Sequence, residues 1–416
     1  MNDDLLQWGA RARTAAEALA RTTPEQRTAG LRALARALRA AAPAVLAANA
    51  EDVAAARAAG LAPAMVDRLA LDAARVEGMA GSVEAVAARP DPVGEETARW
   101  TRPNGLDIAR VRTPIGVIAV IYESRPNVGI DAAALAIRSG NALLLRGGSE
   151  AFRSAQALQA VVASALRGSG LPESAVQSAP SPGRAVVGAL LQGLGGTVDL
   201  LIPRGGRSLV ERVRAEARVP VLGHLEGLNS VFLHASADPE MAVAVTVDAK
   251  MRRVSVCGAA ETLLVDALAA PALLPPVAAA LVERGCELRG DGRSRSLVPM
   301  APASAADWDT EHLAAVINVA VVDGIEGALA HIARHGSGHT DAIVAEDAAA
   351  ADAFLRRVDS AIVLHNASTQ FADGGEFGFG AEIGIATDKL HARGPVGAEQ
   401  LTSFKYVVRG SGQVRG

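Results

Sequence analysis

The run Ile115-Gly-Val-Ile-Ala-Val-Ile121 has no polar side chain, and it narrows the fold more than any other stretch. A strand with one wet face alternates apolar and polar residues. A continuous apolar run belongs to a strand buried on both faces, as in parallel sheets covered by helices. A polar loop, Tyr122-Glu-Ser-Arg-Pro-Asn-Val128, follows it, then a helix containing Ala132 to Ile137 that Gly140 closes. A second apolar strand, Ala142 to Leu145, runs into Arg146-Gly-Gly-Ser-Glu150 and another helix. This alternation with short loops predicts an α/β fold built on a doubly wound parallel sheet. The pattern repeats with a helix marked by Val186, Val187, Leu190 and Leu191, a strand at Val198 to Ile202, the loop Pro203-Arg-Gly-Gly-Arg-Ser208, and a short strand at Val219 to Leu222. Ligands of open α/β sheets bind beyond the carboxyl ends of the strands, where the loops around Arg125, Arg146 and Arg204 are expected to gather.

Residues 1 to about 90 read as helices. Thr23-Pro24-Glu25-Gln26 carries an N-cap, a proline in the first turn and a glutamine at the third position, and Leu31, Leu34 and Leu38 share a face. Pro90 to Gly105 reads as a connection and Leu106 to Arg112 as an exposed strand. A second α/β region begins near Ser230, with strands at Val231–His234, Thr262–Val265, Val316–Val322, Ala342–Val344 and Ala361–His365 and a helix at Pro239–Met251. The terminal alternating strand, Ser403 to Val408, is expected to pair with another segment or subunit, and Leu106–Arg112 is a candidate partner within an oligomer.

At 416 residues two or three domains are expected. A net charge of −4 offers no basic field for nucleic acid. The longest uncharged apolar run, Ala267 to Val282, is broken by Pro271, Pro275 and Pro276 and is too short to span a bilayer. Asn2, Asp3 and Asp4 are the wrong flank for a signal peptide, and one pair of cysteines fits a cytoplasmic setting.

Cys257 carries the chemistry this pattern suggests. It follows the basic run Lys250, Arg252 and Arg253 in a small-residue bend, and cations with exposed backbone N–H groups favour the reactive thiolate. The residue types alone leave a small buried cysteine equally open. The glycine loops at Arg146 and Arg204 can let a phosphate approach the backbone, or be ordinary β–α turns. Gly193-Leu-Gly-Gly196 precedes a strand and so fails the dinucleotide fingerprint. His335 and His339 have metal-ligand spacing, but Gly336 and Gly338 interrupt the helix and no third ligand is evident, so no metal is expected. Glu226 could be a general base or a solvated turn residue.

Five segments together resemble the aldehyde dehydrogenase superfamily: Ile121 to Val128, Ser139 to Glu150, Asp199 to Gly206, Cys257 with Glu261-Thr-Leu-Leu-Val265, and Leu390-His-Ala-Arg-Gly-Pro395. The similarity is to the branch that reduces L-glutamyl 5-phosphate, and it runs from the N-terminal helices to Tyr406. It implies a doubly wound NADP-binding domain over 1–99 and 116–229, and a catalytic α/β domain over 230–365. A return segment over 366–385 and oligomerisation strands over 100–115 and 386–416 complete it. It implies NADPH-dependent reduction of L-glutamyl 5-phosphate to glutamate 5-semialdehyde and phosphate in proline biosynthesis, in a cytoplasmic homo-oligomer with no nucleic-acid or membrane partner. Contact with glutamate 5-kinase is left open. In that reading Cys257 is the nucleophile, and its backbone N–H, then Asn127, are the oxyanion donors. Arg146, Gly147, Gly148 and Ser149, with Gly205, Gly206 and Ser208, hold the cofactor. Ser149 stands where NAD-preferring relatives have a glutamate, which suits NADP. Arg125 and Lys389 are candidates for the substrate α-carboxylate, and Glu226 has no assigned role. Val254 and Gly258 depart from a proline and an asparagine common in the branch, and activity is expected to survive because the backbone donor remains. The alternatives are another acylating aldehyde dehydrogenase, linked to CoA or a different acyl phosphate, and an inactive scaffold relative.

Overall fold

The structure, a computed structural model, describes residues 3–123, 125–223 and 226–415. Ser124 in the loop after the first buried strand, His224 and Leu225 beside Glu226, and the terminal residues Asn2 and Gly416 lie outside the described residues. The chain forms two compact units. The first comprises Met1–Gly223, Gly378–Gly384 and Val396–Gly416, and the second comprises His224–Phe377 and Ile385–Pro395.

Helices α1 (Asp3–Leu19), α2 (Pro24–Ala58), α3 (Pro63–Leu69) and α4 (Ala73–Ala88) open the chain. The expected capping box is present: the Thr23 N–H donates to Gln26 Oε1 at 2.8 Å, and the Gln26 N–H donates to Thr23 Oγ1. Leu31, Leu34 and Leu38 are fully buried. Strands β1 (Glu96–Thr101) and β2 (Asp107–Pro114) then form an antiparallel pair. The stretch read as a connection is therefore partly strand. Its residues are mostly exposed, so burial left no alternation in the sequence to read.

The buried run becomes β3 (Val117–Tyr122), with every residue buried. It is followed by α5 (Pro126–Arg138), β4 (Ala142–Arg146), α6 (Phe152–Gly168), β5 (Val176–Ser178), α7 (Arg184–Leu191), β6 (Leu200–Arg204) and α8 (Arg207–Glu216). These strands make a parallel sheet in the order β5-β4-β3-β6. The winding reverses between β3 and β6, which makes their carboxyl ends the switch point where such sheets bind ligands. The expected strand at Val219 to Leu222 is reduced to one bridge between Val221 and Leu201.

The second unit runs through β7 (Asn229–Leu233), α9 (Pro239–Met251), β8 (Ala260–Asp266), α10 (Ala270–Glu283), β9 (Glu287–Gly290), α11 (Gly292–Leu297), β10 (Ala301–Pro302), β11 (Val316–Val322), α12 (Gly324–His335), β12 (Thr340–Val344), α13 (Ala348–Arg357) and β13 (Ile362–His365). Its parallel sheet has the order β10-β9-β11-β8-β7-β12-β13. A small antiparallel pair, β14 (Ile385–Ala386) and β15 (Gly394–Pro395), belongs to the same unit. The terminal strand β16 (Thr402–Arg409) returns to the first unit and pairs with β2, Tyr406 opposite Arg110. The expected partner is correct, but the pairing is within one chain and not between subunits.

Candidate active site

Cys257 lies in the turn between α9 and β8, half-buried and at the amino edge of the second unit's sheet. Small residues permit this turn to pack closely. A side chain at Gly227 would run into the Cys257 backbone, with its Cβ 2.8 Å from the carbonyl carbon. The same carbonyl oxygen accepts from Asn229 Nδ2 at 2.6 Å. Asn229 is fully buried and uses its whole amide: Nδ2 also donates to the Ala259 carbonyl at 2.9 Å, and Oδ1 accepts from the Thr340 N–H at 3.1 Å. One amide thus ties the cysteine turn to the first residues of β7 and β12.

Around this turn the charges are arranged differently from the sequence expectation. Lys250 is fully buried and donates to Glu261 Oε2 at 2.7 Å, so its charge is already matched. Burial pushes the Glu261 carboxyl up to about 7, against the pull of Lys250. Arg252 and Arg253 are exposed. The exit from α9 is held too, because Gln370 Nε2 donates to the Ala249 carbonyl in its last turn at 3.0 Å and to the Arg253 carbonyl just beyond it at 3.2 Å. Cys257 and Cys286 form no disulfide, and burial pushes the Cys286 thiol up to about 11. A half-buried thiol on a braced turn, with a buried inert partner elsewhere, suits the first cysteine to nucleophilic chemistry.

The first unit holds the candidate cofactor loops at the carboxyl ends of its strands. Glu123 follows β3, and its N–H donates to the Arg204 carbonyl of β6 at 3.1 Å. Its carboxylate accepts from the Gly206 N–H at 2.9 Å, at the start of α8. A Cβ at Gly205 would come within 2.5 Å of that carboxylate, so the glycine leaves room for its approach. The Gly205–Gly206 turn therefore already carries an anionic oxygen, as it would a cofactor phosphate. Ser208 is exposed in the first turn of α8.

Arg146 ends β4, donates from Nη2 to the Pro182 carbonyl at 2.9 Å, and has a buried Nε with no hydrogen-bond partner. Burial lowers the pKa of its guanidinium, opposed by Glu150 and Glu123. Gly147 packs on Tyr122, whose phenol burial pushes up to about 12, while Gly148 leaves room for the Glu150 carboxylate and Ser149 is exposed. An unpartnered guanidinium donor and an anion-accepting turn fit a phosphate-bearing dinucleotide. The helix after Arg146 is another matter. The amides of Ser154 and Arg153 donate to Asp52 of α2, at 2.7 Å and 3.4 Å, so α6 has its cap without a ligand.

Asn127 is exposed in the first turn of α5, and its Nδ2 donates to Asp131 Oδ2 at 3.2 Å. Arg125 is exposed at the N-cap of that helix. Lys389 pairs with Asp359, which also takes Arg393 at 2.7 Å; both cations hold the Asp359 carboxyl down at about 2. Glu226 is half-buried next to Gly227, whose N–H donates to Glu311 Oε1 at 3.0 Å. His335 pairs with Asp309 at 2.7 Å and His339 lies against Thr340 Oγ1, so the spaced histidines serve different neighbours. Among the described residues, no cluster of three or more His, Cys, Asp or Glu is placed to hold a metal. Asn229, Gly227, Gln370 and Glu123 were not legible as site residues, since each acts through backbone groups distant in sequence.

Comparison with known proteins bears on the family and the fold. The model of the aldehyde dehydrogenase family matches residues 2–292. A gamma-glutamyl phosphate reductase of Caulobacter sp. strain K31 is 69% identical over 408 residues, covering 98% of this chain and 97% of the relative. One from Hyphomonas neptunium is 63% identical over 414 residues, covering 99% and 97%. Among solved structures, the gamma-glutamyl phosphate reductase of Thermotoga maritima superposes with a TM-score of 0.97 at 42% identity, covering 100% of both chains. An acetylating aldehyde dehydrogenase from Geobacillus thermoglucosidasius, at 18% identity and a TM-score of 0.71 over 100% and 98% of the two chains, shares the fold.

Proposed function

The chain belongs to the aldehyde dehydrogenase family, in its gamma-glutamyl phosphate reductase branch, and on that premise we propose that it reduces L-glutamyl 5-phosphate to L-glutamate 5-semialdehyde with NADPH in L-proline biosynthesis. The observation that carries this reading is near-full-length similarity to that branch joined to a half-buried thiol on a braced turn.

In the proposed reaction the Cys257 thiolate attacks the acyl-phosphate carbonyl and a C–S bond forms. The tetrahedral oxyanion is stabilised by backbone N–H donation, Cys257's own amide first, with the Asn127 side chain as second candidate. Collapse breaks the bond to the phosphate oxygen, phosphate leaves, and a thioester remains on Cys257. When bound, NADPH supplies the hydride that takes the acyl carbon to the aldehyde level. Expulsion of the Cys257 thiolate then frees the aldehyde. Arg146, Gly147, Gly148 and Ser149, with Gly205, Gly206 and Ser208, hold the cofactor's phosphates and ribose, and Arg146 suits a 2′-phosphate. Arg125 and Lys389 are the proposed partners of the substrate α-carboxylate; Lys389 would first leave Asp359.

The domain divisions implied by the resemblance are kept in this proposal, except that 366–377 and 386–395 fold with the second unit. The enzyme works in the cytoplasm as a homo-oligomer. No described helix is long and apolar enough to cross a membrane. The three-stranded sheet β1-β2-β16 supports self-association, because it exposes Phe404, Tyr406 and Val408 on alternate positions of its edge strand.

The test runs the reaction backwards from glutamate 5-semialdehyde, phosphate and NADP while following NADPH absorbance. Phosphate-dependent NADPH formation that vanishes in Cys257→Ala is the expected result. Turnover without phosphate, or an unaffected variant, would overturn the acyl-phosphate mechanism and favour a CoA-linked or hydrolytic relative.

A further inference from the structure

The peptide that joins Cys257 to Gly258 is fixed from one side and left open on the other. Its carbonyl oxygen accepts from buried Asn229 at 2.6 Å and is packed against Gly227, where no side chain could fit. In a planar trans peptide the N–H points opposite to the C=O, so pinning the Cys257 carbonyl aims the Gly258 N–H away from Asn229. Gly258 is buried, and its N–H makes no hydrogen bond to any described residue. Buried backbone N–H groups are nearly always paired, so one left over beside a nucleophile calls for an explanation. The turn's other orienting contact is spent on structure, since the Ala259 N–H donates to the Val256 carbonyl at 3.0 Å.

We propose that the Gly258 N–H is an oxyanion donor for acyl transfer at Cys257, and that Asn229 is the positioning residue that aims it. The inference rests on reading Cys257 as the acyl-accepting nucleophile and adds a donor one peptide beyond the cysteine's own amide. It also accounts for the tolerance of glycine at position 258. The donor belongs to the backbone, and a Cβ there would meet the Thr369 carbonyl at 3.1 Å. Asn229 touches neither substrate nor cofactor. Its effect runs through the peptide plane, and its own hydrogen bonds are satisfied without any ligand.

Two small reagents separate this role from damage to the nucleophile. Acylation of Cys257 by p-nitrophenyl acetate forms a C–S bond through a tetrahedral oxyanion and releases p-nitrophenolate. Alkylation by iodoacetamide displaces iodide at a saturated carbon and forms no oxyanion. Neither needs NADPH or a glutamyl substrate. In Asn229→Asp, which keeps the acceptor for the Thr340 N–H and loses the donors to Cys257 and Ala259, acylation is expected to fall about 10- to 100-fold, with alkylation within about threefold of wild type. Asn229→Ala is the second variant, and thermal melting identifies whichever of the two remains folded. A wild-type measurement completes the test: the infrared carbonyl band of ¹³C-acetylated Cys257 is expected below that of a model thioester in water. The proposal is overturned if the folded variant slows both reagents equally, if it slows neither, or if the acetyl carbonyl is unshifted. Equal labelling of Cys257→Ala by p-nitrophenyl acetate would overturn the nucleophile reading itself, whereas a variant that fails with Cys257 reactive overturns the oxyanion role alone.

Discussion

Single residues in this chain are decided by what they face across the sheet. Asp341 is fully buried on β12, accepting from the Ser230 N–H at 2.9 Å and from Ser360 Oγ at 2.5 Å. Burial outweighs those bonds and pushes its carboxyl up to about 6. From about pH 4 to about pH 6 the folded chain keeps a proton that the unfolded chain has released, so stability falls as pH rises through that window. Asn in the same place can accept from Ser230 and donate to Ser360 without titrating. Asp341→Asn is therefore expected to gain on wild type between pH 4 and pH 6.5, by up to about 3 kcal/mol at about 1.4 kcal/mol per pH unit. Urea unfolding at both pH values checks this, and an identical difference at each would remove the titration from the explanation. Cys257 was legible as a candidate because its neighbours in sequence are small and basic. Asn229 was not, because its partners are the Cys257, Ala259 and Thr340 backbones, and no local spacing encodes contacts 28, 30 and 111 residues away.

Helix ends and strand starts carry most of the site's order. Lys250 in the last turn of α9 and Glu261 on β8 close the base of the cysteine turn with a pair that water does not reach. Breaking such a pair from one side strands a buried charge, at a cost of about 3–5 kcal/mol, while removing both charges can be nearly neutral. Glu261→Gln is thus expected to lower the unfolding midpoint strongly, and Lys250→Met with Glu261→Met to recover most of the loss. A double variant no more stable than the single one would rule this out. Element type was legible where burial repeats, as in β3, and where capping is local, as at Thr23. The strand β1 escaped because both its faces are largely exposed. The cap of α6 escaped because Asp52 supplies it from a helix about a hundred residues earlier, at separations of 101 and 102 residues.

At the scale of the molecule, the carboxyl-edge rule located the loops around Arg125, Arg146 and Arg204 but not the proposed nucleophile Cys257, which sits at the amino edge of its own sheet. The rule follows from where helix N-termini and loops gather in a doubly wound sheet, and Cys257 arrives from a helix C-terminus. The three-stranded sheet presents Trp100, Phe404 and Tyr406 in edge-to-face contact, with ring centroids 6.0 Å and 5.6 Å apart. Tyr406→Asp is expected to shift sedimentation toward the single-chain mass while the fold's circular dichroism is retained. An unchanged mass would rule this sheet out as a self-association surface.

That sheet also sets a schedule for biosynthesis. Arg112 on β2 meets Thr402 on β16 across 290 residues of chain, most of which build the other unit. At about 5–20 residues per second on the ribosome, β2 waits roughly 15–60 seconds for its second neighbour. Until then one edge of the growing polypeptide is open to any passing strand. Messenger truncation or stalling just before Thr402 would release a chain with its Cys257 turn already made and an unguarded edge, a natural client for chaperones.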